Sequence, residues 1–183
     1  ALFQTTLLIF SLSHNVNLAE LNQGDNEQAR IELLKCCGSS KWVNNILAVR
    51  PFSSKAQLYA LAEKIWLELG KDEYLEAFAA HPKIGESKAP VKAKNTESWT
   101  RKEQAGMLNA ADPLKLELEK LNRKYEKKFG YIFIICATGK SGREMLDLLQ
   151  QRLENIPLIE LRIAASEQNK ITNLRLKKML ADA

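Results

Sequence analysis

The sequence contains few cysteines and histidines, and this scarcity limits the sites it can form. Its 183 residues include three cysteines and two histidines. Cys36 and Cys37 are adjacent and Cys136 stands alone, so the spacing predicts neither a disulfide framework nor a zinc site, and we expect a reducing compartment. A phosphate-binding loop is also excluded at TGKSG, because that pattern requires glycine at the position of Ile134.

Long hydrophobic runs are missing as well. An apolar run at residues 7–10 is too short to cross a membrane, and no basic residue precedes it as in a signal peptide. The chain ends in LADA rather than in an SKL-type peroxisomal address. We therefore expect a cytoplasmic protein without a membrane partner.

Positive charge is in modest excess. The 27 Lys and Arg residues outnumber the 22 Asp and Glu residues, which gives a net charge of +5 and suggests an anionic partner. Lysines are concentrated in a loop predicted at residues 83–97, but no aromatic residue is interleaved among them before Trp99. Because stacking aromatics are typical of single-strand binders, we expect a solvated loop or an approach path for an anionic metabolite rather than nucleic acid.

Length and composition predict one globular domain over residues 1–183, with 45% hydrophobic and 27% charged residues. The clearest helical periodicity runs from Leu58 to Leu69, where apolar residues recur at spacings of three and four before Gly70. The pattern as a whole predicts an all-α bundle of roughly eight to nine helices. Helix starts are predicted near Asp25, Ser40, Ser53, Asp72, Thr100, Asp112, Arg143 and Pro157.

The run YIFIICA at residues 131–137 is rich in β-branched and aromatic residues, as a buried strand would be. Gly130 separates it from the preceding helix, and no second strand is available to pair with it. We therefore predict a short extended segment in a helical protein. Its backbone N–H groups would need a ligand, water or side chain as partner.

Two polar features flank the predicted loop. Pro82 disfavours helix at His81, which therefore lies at the carboxyl end of a helix, where the dipole favours a protonated imidazole. Thr100 and Glu103 have the spacing of a capping box at the start of the next helix. These residues are either helix caps or a proton carrier and a polar site on one loop.

The last predicted helix is expected to direct Leu161, Ala164, Ile171, Leu174 and Met179 toward the core. Arg175 follows Leu174 and lies among many basic residues. From the residues alone, it is one more surface cation.

Four segments, in this order, resemble the OHCU (2-oxo-4-hydroxy-4-carboxy-5-ureidoimidazoline) decarboxylases. They are HPKIGE at 81–86, TRKEQAG at 100–106, KKFGYIFIICATGKS at 127–141 and EQNKITNLRL at 167–176. The resemblance extends from about residue 50 to the carboxyl end. It implies an all-helical homodimer that decarboxylates its anionic substrate to (S)-allantoin in urate degradation, without a metal or other cofactor.

The resemblance also implies roles for particular residues. His81 matches the catalytic proton donor, and Arg175 matches a carboxyl-terminal arginine of the site. Glu103 is expected to hold ring nitrogens of the substrate or to orient the imidazole. The substrate-binding residues implied are Pro82, Thr100, Gln104, Phe133, Ile134, Ile135, Cys136 and Ala137.

The sequence departs from the family pattern at three positions. Thr100 stands where serine is usual but keeps the hydroxyl, whereas Tyr131 and Ile132 stand where many members have Phe-Pro. The alternative to an enzyme is a non-catalytic helical module that binds an anionic ligand or nucleic acid. A nucleic-acid binder would lose affinity steeply as salt rises, with the loss spread over many lysines, whereas an enzyme would depend chiefly on His81.

Overall fold

The computed structural model describes residues 16–85, 97–108 and 110–181. All regular structure in these ranges is helical, which confirms the predicted all-α class. The helices are α1 (Leu18–Gln23), α2 (Asn26–Cys36), α3 (Ser40–Ala48), α4 (Lys55–Leu67), α5 (Lys71–Phe78), α6 (Glu97–Glu103), α7 (Asp112–Phe129), α8 (Gly142–Arg152) and α9 (Pro157–Met179), with a 3₁₀ helix at Ala105–Met107. The predicted apolar run at residues 7–10 and most of the lysine-rich loop lie outside the described residues.

Most helix boundaries follow the local chemistry of the sequence. Ser39, Ser54 and Ser141 accept hydrogen bonds from backbone N–H groups in the first turns of α3, α4 and α8, so they satisfy donors that lack a helical partner. Gly130 ends α7 in the left-handed region at a φ of 82°, where a side chain would be strained. These caps explain why the predicted helix starts are close to the observed ones.

The predicted capping box at Thr100 and Glu103 is wrong. Residues 97–99 are already helical, so Thr100 lies inside α6 and Glu103 is its last residue. The carbonyl of Thr100 accepts the N–H of Gln104 as part of the continuing turn. The spacing of a capping box marks a helix start only when the preceding backbone is extended, and here it is not.

Helix α9 contacts four other helices, α2, α4, α5 and α7. The Trp66 indole N–H donates to the Ala165 carbonyl at 2.9 Å, which ties α4 to α9 in the buried interior. Residues on this long helix can therefore reach groups that are far apart in sequence.

The segment at residues 131–137 is extended but pairs with no strand in the described part of the chain, as predicted. Its side chains alternate between two buried clusters. Ile134 and Cys136 pack with α2 to α5, whereas Phe133, Ile135 and Ala137 pack with α7 and α8. The segment is thus held as the boundary between two cores, which explains its apolar composition without a sheet.

The buried face of α9 differs from the prediction at one position. Leu174 is 41% exposed, whereas Arg175 is only 5% exposed, so Leu174 does not face the core. Gln168, Thr172 and Arg175 share the buried stripe with apolar residues such as Ala164, Ile171 and Met179. A hydrophobic pattern could not reveal these three positions, because their side chains are polar.

Candidate active site

A cavity opens where the end of α5, the end of α6, residues 133–138 and α9 meet. The space free of protein atoms there is about 430 Å³, a volume that includes open solvent at the mouth. His81 and Pro82 reach it directly after α5, and the N–H of His81 donates to the Phe78 carbonyl at 3.1 Å. The other predicted residues that line it are Thr100, Glu103, Gln104, Phe133, Ile134, Ile135 and Ala137.

Arg175 lies behind this cavity rather than in its wall. Its Nε donates to Oε1 of Glu103 at 2.9 Å and its Nη2 donates to Oε2 at 2.8 Å. A third bond runs from Nη1 to the Lys35 carbonyl at 3.1 Å. The surface-cation interpretation of Arg175 is therefore wrong, and Glu103 stands between the guanidinium and the cavity.

The ion pair determines the charge of Glu103. Burial raises the pKa of this carboxyl, but the hydrogen bonds and positive charge of Arg175 outweigh burial and hold the pKa below its ordinary value. Glu103 is thus an anion whose two oxygens are oriented by a fixed fork of donors. Its position on the cavity wall suits it to accept N–H groups of a ligand.

The His81 imidazole is neutral near pH 7. Burial, followed by the charge of Arg175, lowers the pKa of His81 to about 4, although the Gln168 hydrogen bond and Glu103 act in the opposite direction. The prediction of a protonated ring from the helix dipole is wrong, because that effect is smaller than the cost of burying a charge. The imidazole Nε2 lies 2.7 Å from Oε1 of Gln168.

Two polar side chains from α6 and its end complete this side of the cavity. The buried Thr100 hydroxyl has no hydrogen-bond partner among the residues that the structure describes, which is unusual for a buried polar atom. Gln104 Oε1 accepts the Gly85 N–H at 3.2 Å, and its amide nitrogen adds donors at the same wall. The arrangement offers Thr100 as a donor or acceptor to a bound molecule.

Two side chains hold the extended segment along one edge of its backbone. The Ile134 carbonyl accepts from Arg152 Nη1 at 2.6 Å, and the Cys136 N–H donates to Glu167 Oε2 at 2.8 Å. In extended backbone, successive residues direct their polar groups to opposite sides. The N–H groups of Phe133 and Ile135 therefore face away from these partners. The cavity lining does not include Cys136, whose backbone is committed to Glu167.

A buried polar network supports Arg152. Its Nε donates to Glu160 Oε1 at 2.8 Å, and its guanidinium lies 4.6 Å from the centre of the Phe133 ring. Tyr125 donates a further hydrogen bond to Glu160, and Asn155 Nδ2 lies 2.7 Å from Glu160 Oε2. Because each buried charge has a partner, the network can hold the Ile134 carbonyl at a fixed position.

Several residues of the site were missed from the sequence. Gln168 and Glu167 lie within the quoted segment EQNKITNLRL, but their partners were not predictable from spacing. Arg152 and Glu160 carried no recognisable signal, since each is a charged residue on an amphipathic helix. Additional cavity residues are Ile84, Thr138, Ile171 and Leu174. Among the described residues, no cluster of three or more His, Cys, Asp or Glu could hold a metal ion.

Together the fold and the site define an all-helical protein with a partly enclosed cavity, lined by polar and apolar side chains, beside one histidine. The family model described as OHCU decarboxylase matches residues 22–177. This chain therefore belongs to the OHCU decarboxylase family.

Curated relatives give the same family. The chain is 41% identical over 149 residues to the "Uric acid degradation bifunctional protein TTL" of Arabidopsis thaliana, covering 80% of this chain and 46% of that protein. It is 28% identical over 163 residues to the "Uric acid degradation bifunctional protein" of Bacillus sp. (strain TB-90), covering 86% of this chain and 32% of the relative. The chain thus spans about half or less of the length of these two relatives.

A solved structure has the same architecture. The crystal structure of OHCU decarboxylase in the presence of (S)-allantoin matches with a TM-score of 0.70 and 36% identity, covering 87% of this chain and all of that one. The crystal structure of (S)-allantoin synthase, at 20% identity and a TM-score of 0.65, shows the fold alone. Within the described residues, no helix is both long and apolar enough to cross a membrane.

Proposed function

We propose that this chain decarboxylates 2-oxo-4-hydroxy-4-carboxy-5-ureidoimidazoline to (S)-allantoin in urate degradation. The observation that carries the proposal is the convergence of His81, Glu103 and four residues of the extended segment, Phe133, Ile134, Ile135 and Ala137, on one cavity. Family membership supports it, as does the 36% identical structure solved in the presence of (S)-allantoin.

The proposed reaction needs no electron sink beyond the substrate ring. The bond to the carboxylate breaks, carbon dioxide leaves, and its electron pair passes into the neighbouring ring C=N, whose nitrogen takes a proton from solvent. The hydroxyl of the substrate then loses its proton as it becomes a carbonyl, while the adjacent ring carbon gains one. The protein must therefore orient the ring and move one proton on one face.

The residues of the site suit these tasks. A neutral His81 can accept the hydroxyl proton and return a proton to carbon, which is the task of a catalytic acid and base. Glu103, oriented by Arg175, accepts ring or ureido N–H groups. The hydroxyl of Thr100, the amide of Gln104 and the N–H groups of Phe133 and Ile135 hydrogen-bond the planar ligand.

The remaining cavity residues shape its walls. Pro82 and the cavity-lining residues of the extended segment restrict the space on either side of the planar ring. The one-sided position of His81 then predicts which face of the intermediate receives the proton. A protein of this kind should yield one enantiomer of the product.

Circular dichroism of the product tests the function. The unstable substrate is generated from urate in situ, and its decay is followed with and without this protein. We expect accelerated decay and a signal of (S)-allantoin, because spontaneous protonation in water has no facial preference. Racemic product formed at the uncatalysed rate by folded protein would reject the proposal and favour a non-catalytic module that binds an anionic ligand.

We also propose that the chain forms a homodimer in the cytoplasm. Ile156 and Leu158, at the start of α9, are 63% and 59% exposed and offer an apolar surface to a second copy. The free cysteines fit a reducing compartment. Sedimentation velocity at micromolar concentration tests the assembly: a dimer is expected, with weaker association of Leu158→Glu, and a monomeric wild-type protein would contradict it.

A further inference from the structure

We infer that Gln168 is a positioning residue that fixes the tautomer of His81, with the ring proton on Nε2 and with Nδ1 left as the nitrogen for proton transfer. Gln168 is fully buried on α9, and its Oε1 lies 2.7 Å from the imidazole Nε2. The catalytic consequence rests on the proposed function, whereas the tautomer itself does not.

The orientation of the Gln168 amide follows from its second partner. Its Nε2 donates to the Thr172 hydroxyl oxygen one turn further along α9, at 3.2 Å. Thr172 also acts on the buried Cys37 thiol in the direction that lowers its pKa, which is the effect of an O–H directed at the sulfur. With the amide nitrogen occupied by Thr172, the Gln168 oxygen faces His81 and requires a donor from the ring.

The interior around Gln168 offers its side-chain oxygen no other hydrogen-bond donor from solvent. Gln168, Thr172 and Cys37 are each at most 2% exposed, so solvent does not offer Gln168 an alternative donor. The charged groups that act on the His81 ring are Arg175 from α9 and Glu103 from α6. Because these two form an ion pair with each other, neither takes the place of Gln168 as the direct hydrogen-bond partner of Nε2.

The tautomer has a consequence for the proton transfer. With the Nε2 proton held by Gln168, Nδ1 carries the free lone pair that accepts the substrate hydroxyl proton. The imidazolium formed in this way keeps its hydrogen bond to the Gln168 oxygen and returns one proton from Nδ1 to the ring carbon. The ring thus begins and ends the cycle neutral, and no further acid or base is required for this transfer.

Nuclear magnetic resonance tests the tautomer without any assay of activity. In ¹⁵N-labelled protein carrying His14→Gln, all imidazole signals come from His81. At pH 7 we expect long-range proton–nitrogen correlations of a neutral ring with protonated Nε2 and unprotonated Nδ1. A ring protonated on Nδ1 would overturn the inference, even if the protein proved to be an active decarboxylase.

Kinetics of two substitutions test the consequence. Gln168→Leu removes the acceptor, and we expect kcat to fall roughly 10–100-fold with little change in KM, a loss typical of partners that orient a reacting imidazole. Gln168→Glu keeps an acceptor and adds negative charge, so it should retain more activity and move the acidic limb of the pH–rate profile to higher pH. Gln151→Glu on the exposed face of α8 is the matched control and should leave the profile unchanged.

The outcomes separate the two hypotheses. An unchanged kcat and pH profile in both Gln168 variants would overturn the positioning role while leaving the decarboxylase proposal intact. A wild-type protein without activity but with the expected tautomer would reject only the proposed reaction. If Gln168→Leu fails to fold, the nitrogen spectrum of the wild-type protein still tests the tautomer. The pH–rate profile of Gln168→Glu still tests the positioning role.

Discussion

The Arg175 guanidinium and the Glu103 carboxylate form a two-point ion pair, with Nε 2.9 Å from Oε1 and Nη2 2.8 Å from Oε2. The pair joins α9 to the end of α6, and both side chains are largely buried. Its geometry requires the planar fork of arginine, because two parallel donors meet two carboxylate oxygens. Glu103 therefore presents an oriented anion at the cavity wall, and Arg175 behind it balances the negative charge.

Arg175→Lys tests the importance of this fork. Lysine keeps the charge but cannot donate to both carboxylate oxygens in the same plane. We expect kcat/KM to fall roughly 10–100-fold, the equivalent of one lost charged hydrogen bond of about 1.5–3 kcal/mol. Arg162→Lys, on the exposed side of the same helix, is the matched control. Equal effects at the two positions would contradict a role for the pair in the site.

Replacing His81 by asparagine removes the group assigned to proton transfer. We expect the rate of decarboxylation to fall by about 10²–10⁴, the usual contribution of a positioned acid or base. Far-ultraviolet circular dichroism should show retained helical structure, because only one side chain at the cavity has changed. His14→Asn serves as the control, and a wild-type rate in His81→Asn would refute the assignment.

Stability should depend on pH through the same histidine. The pKa of His81 is about 4 in the folded protein, below its ordinary value of 6.5, so the unfolded chain binds more protons between these values. The stabilisation is present above pH 6.5 and is lost as the pH falls toward 4. Between pH 6.5 and 5 we expect a decline of about 1–2 kcal/mol, since one pKa unit corresponds to about 1.4 kcal/mol.

Urea unfolding at several pH values measures this decline. In His81→Asn the slope over the same window should be smaller, because asparagine does not titrate. The window lies above the range in which the carboxylates contribute, so the difference between the two proteins isolates the imidazole. Equal slopes of the unfolding free energy against pH in the two proteins would mean that the fold does not keep the His81 ring neutral.

Glu167→Ala tests the support of the extended segment. The substitution leaves the Cys136 N–H without its acceptor, and an unsatisfied buried donor costs about 1–3 kcal/mol. We expect faster hydrogen exchange at the Cys136 amide and a lower kcat. Glu154→Ala, at an exposed position, is the control. Unchanged exchange at Cys136 would show that other contacts suffice to hold the segment.

Local signals in the sequence explain what could be predicted. Gly130 and Pro157 mark helix boundaries through backbone chemistry that does not depend on the rest of the fold. The composition of residues 131–137 indicated an extended, buried segment, and the structure confirms it. The all-α class followed from periodicities of the same local kind.

The features that could not be predicted depend on contacts between distant residues. The burial of Arg175 follows from its pairing with Glu103, which is 72 positions away. The lowered pKa of His81 likewise reflects its enclosure by α9, which the end of a single helix could not reveal. Thr100 was assigned to a helix start from a four-residue pattern, although the helix already includes Glu97.

Gly106, the last residue of TRKEQAG, touches the backbone that follows the extended segment. A Cβ added there would lie 2.0 Å from the Lys140 carbonyl oxygen, a distance that no side chain can accept. The backbone at Gly106, which follows Gln104, therefore contacts the backbone at Lys140, which follows the extended segment. The spacing of the two segments at this crossing is set by the dimensions of the polypeptide itself. A side chain at position 106 would force the two segments apart.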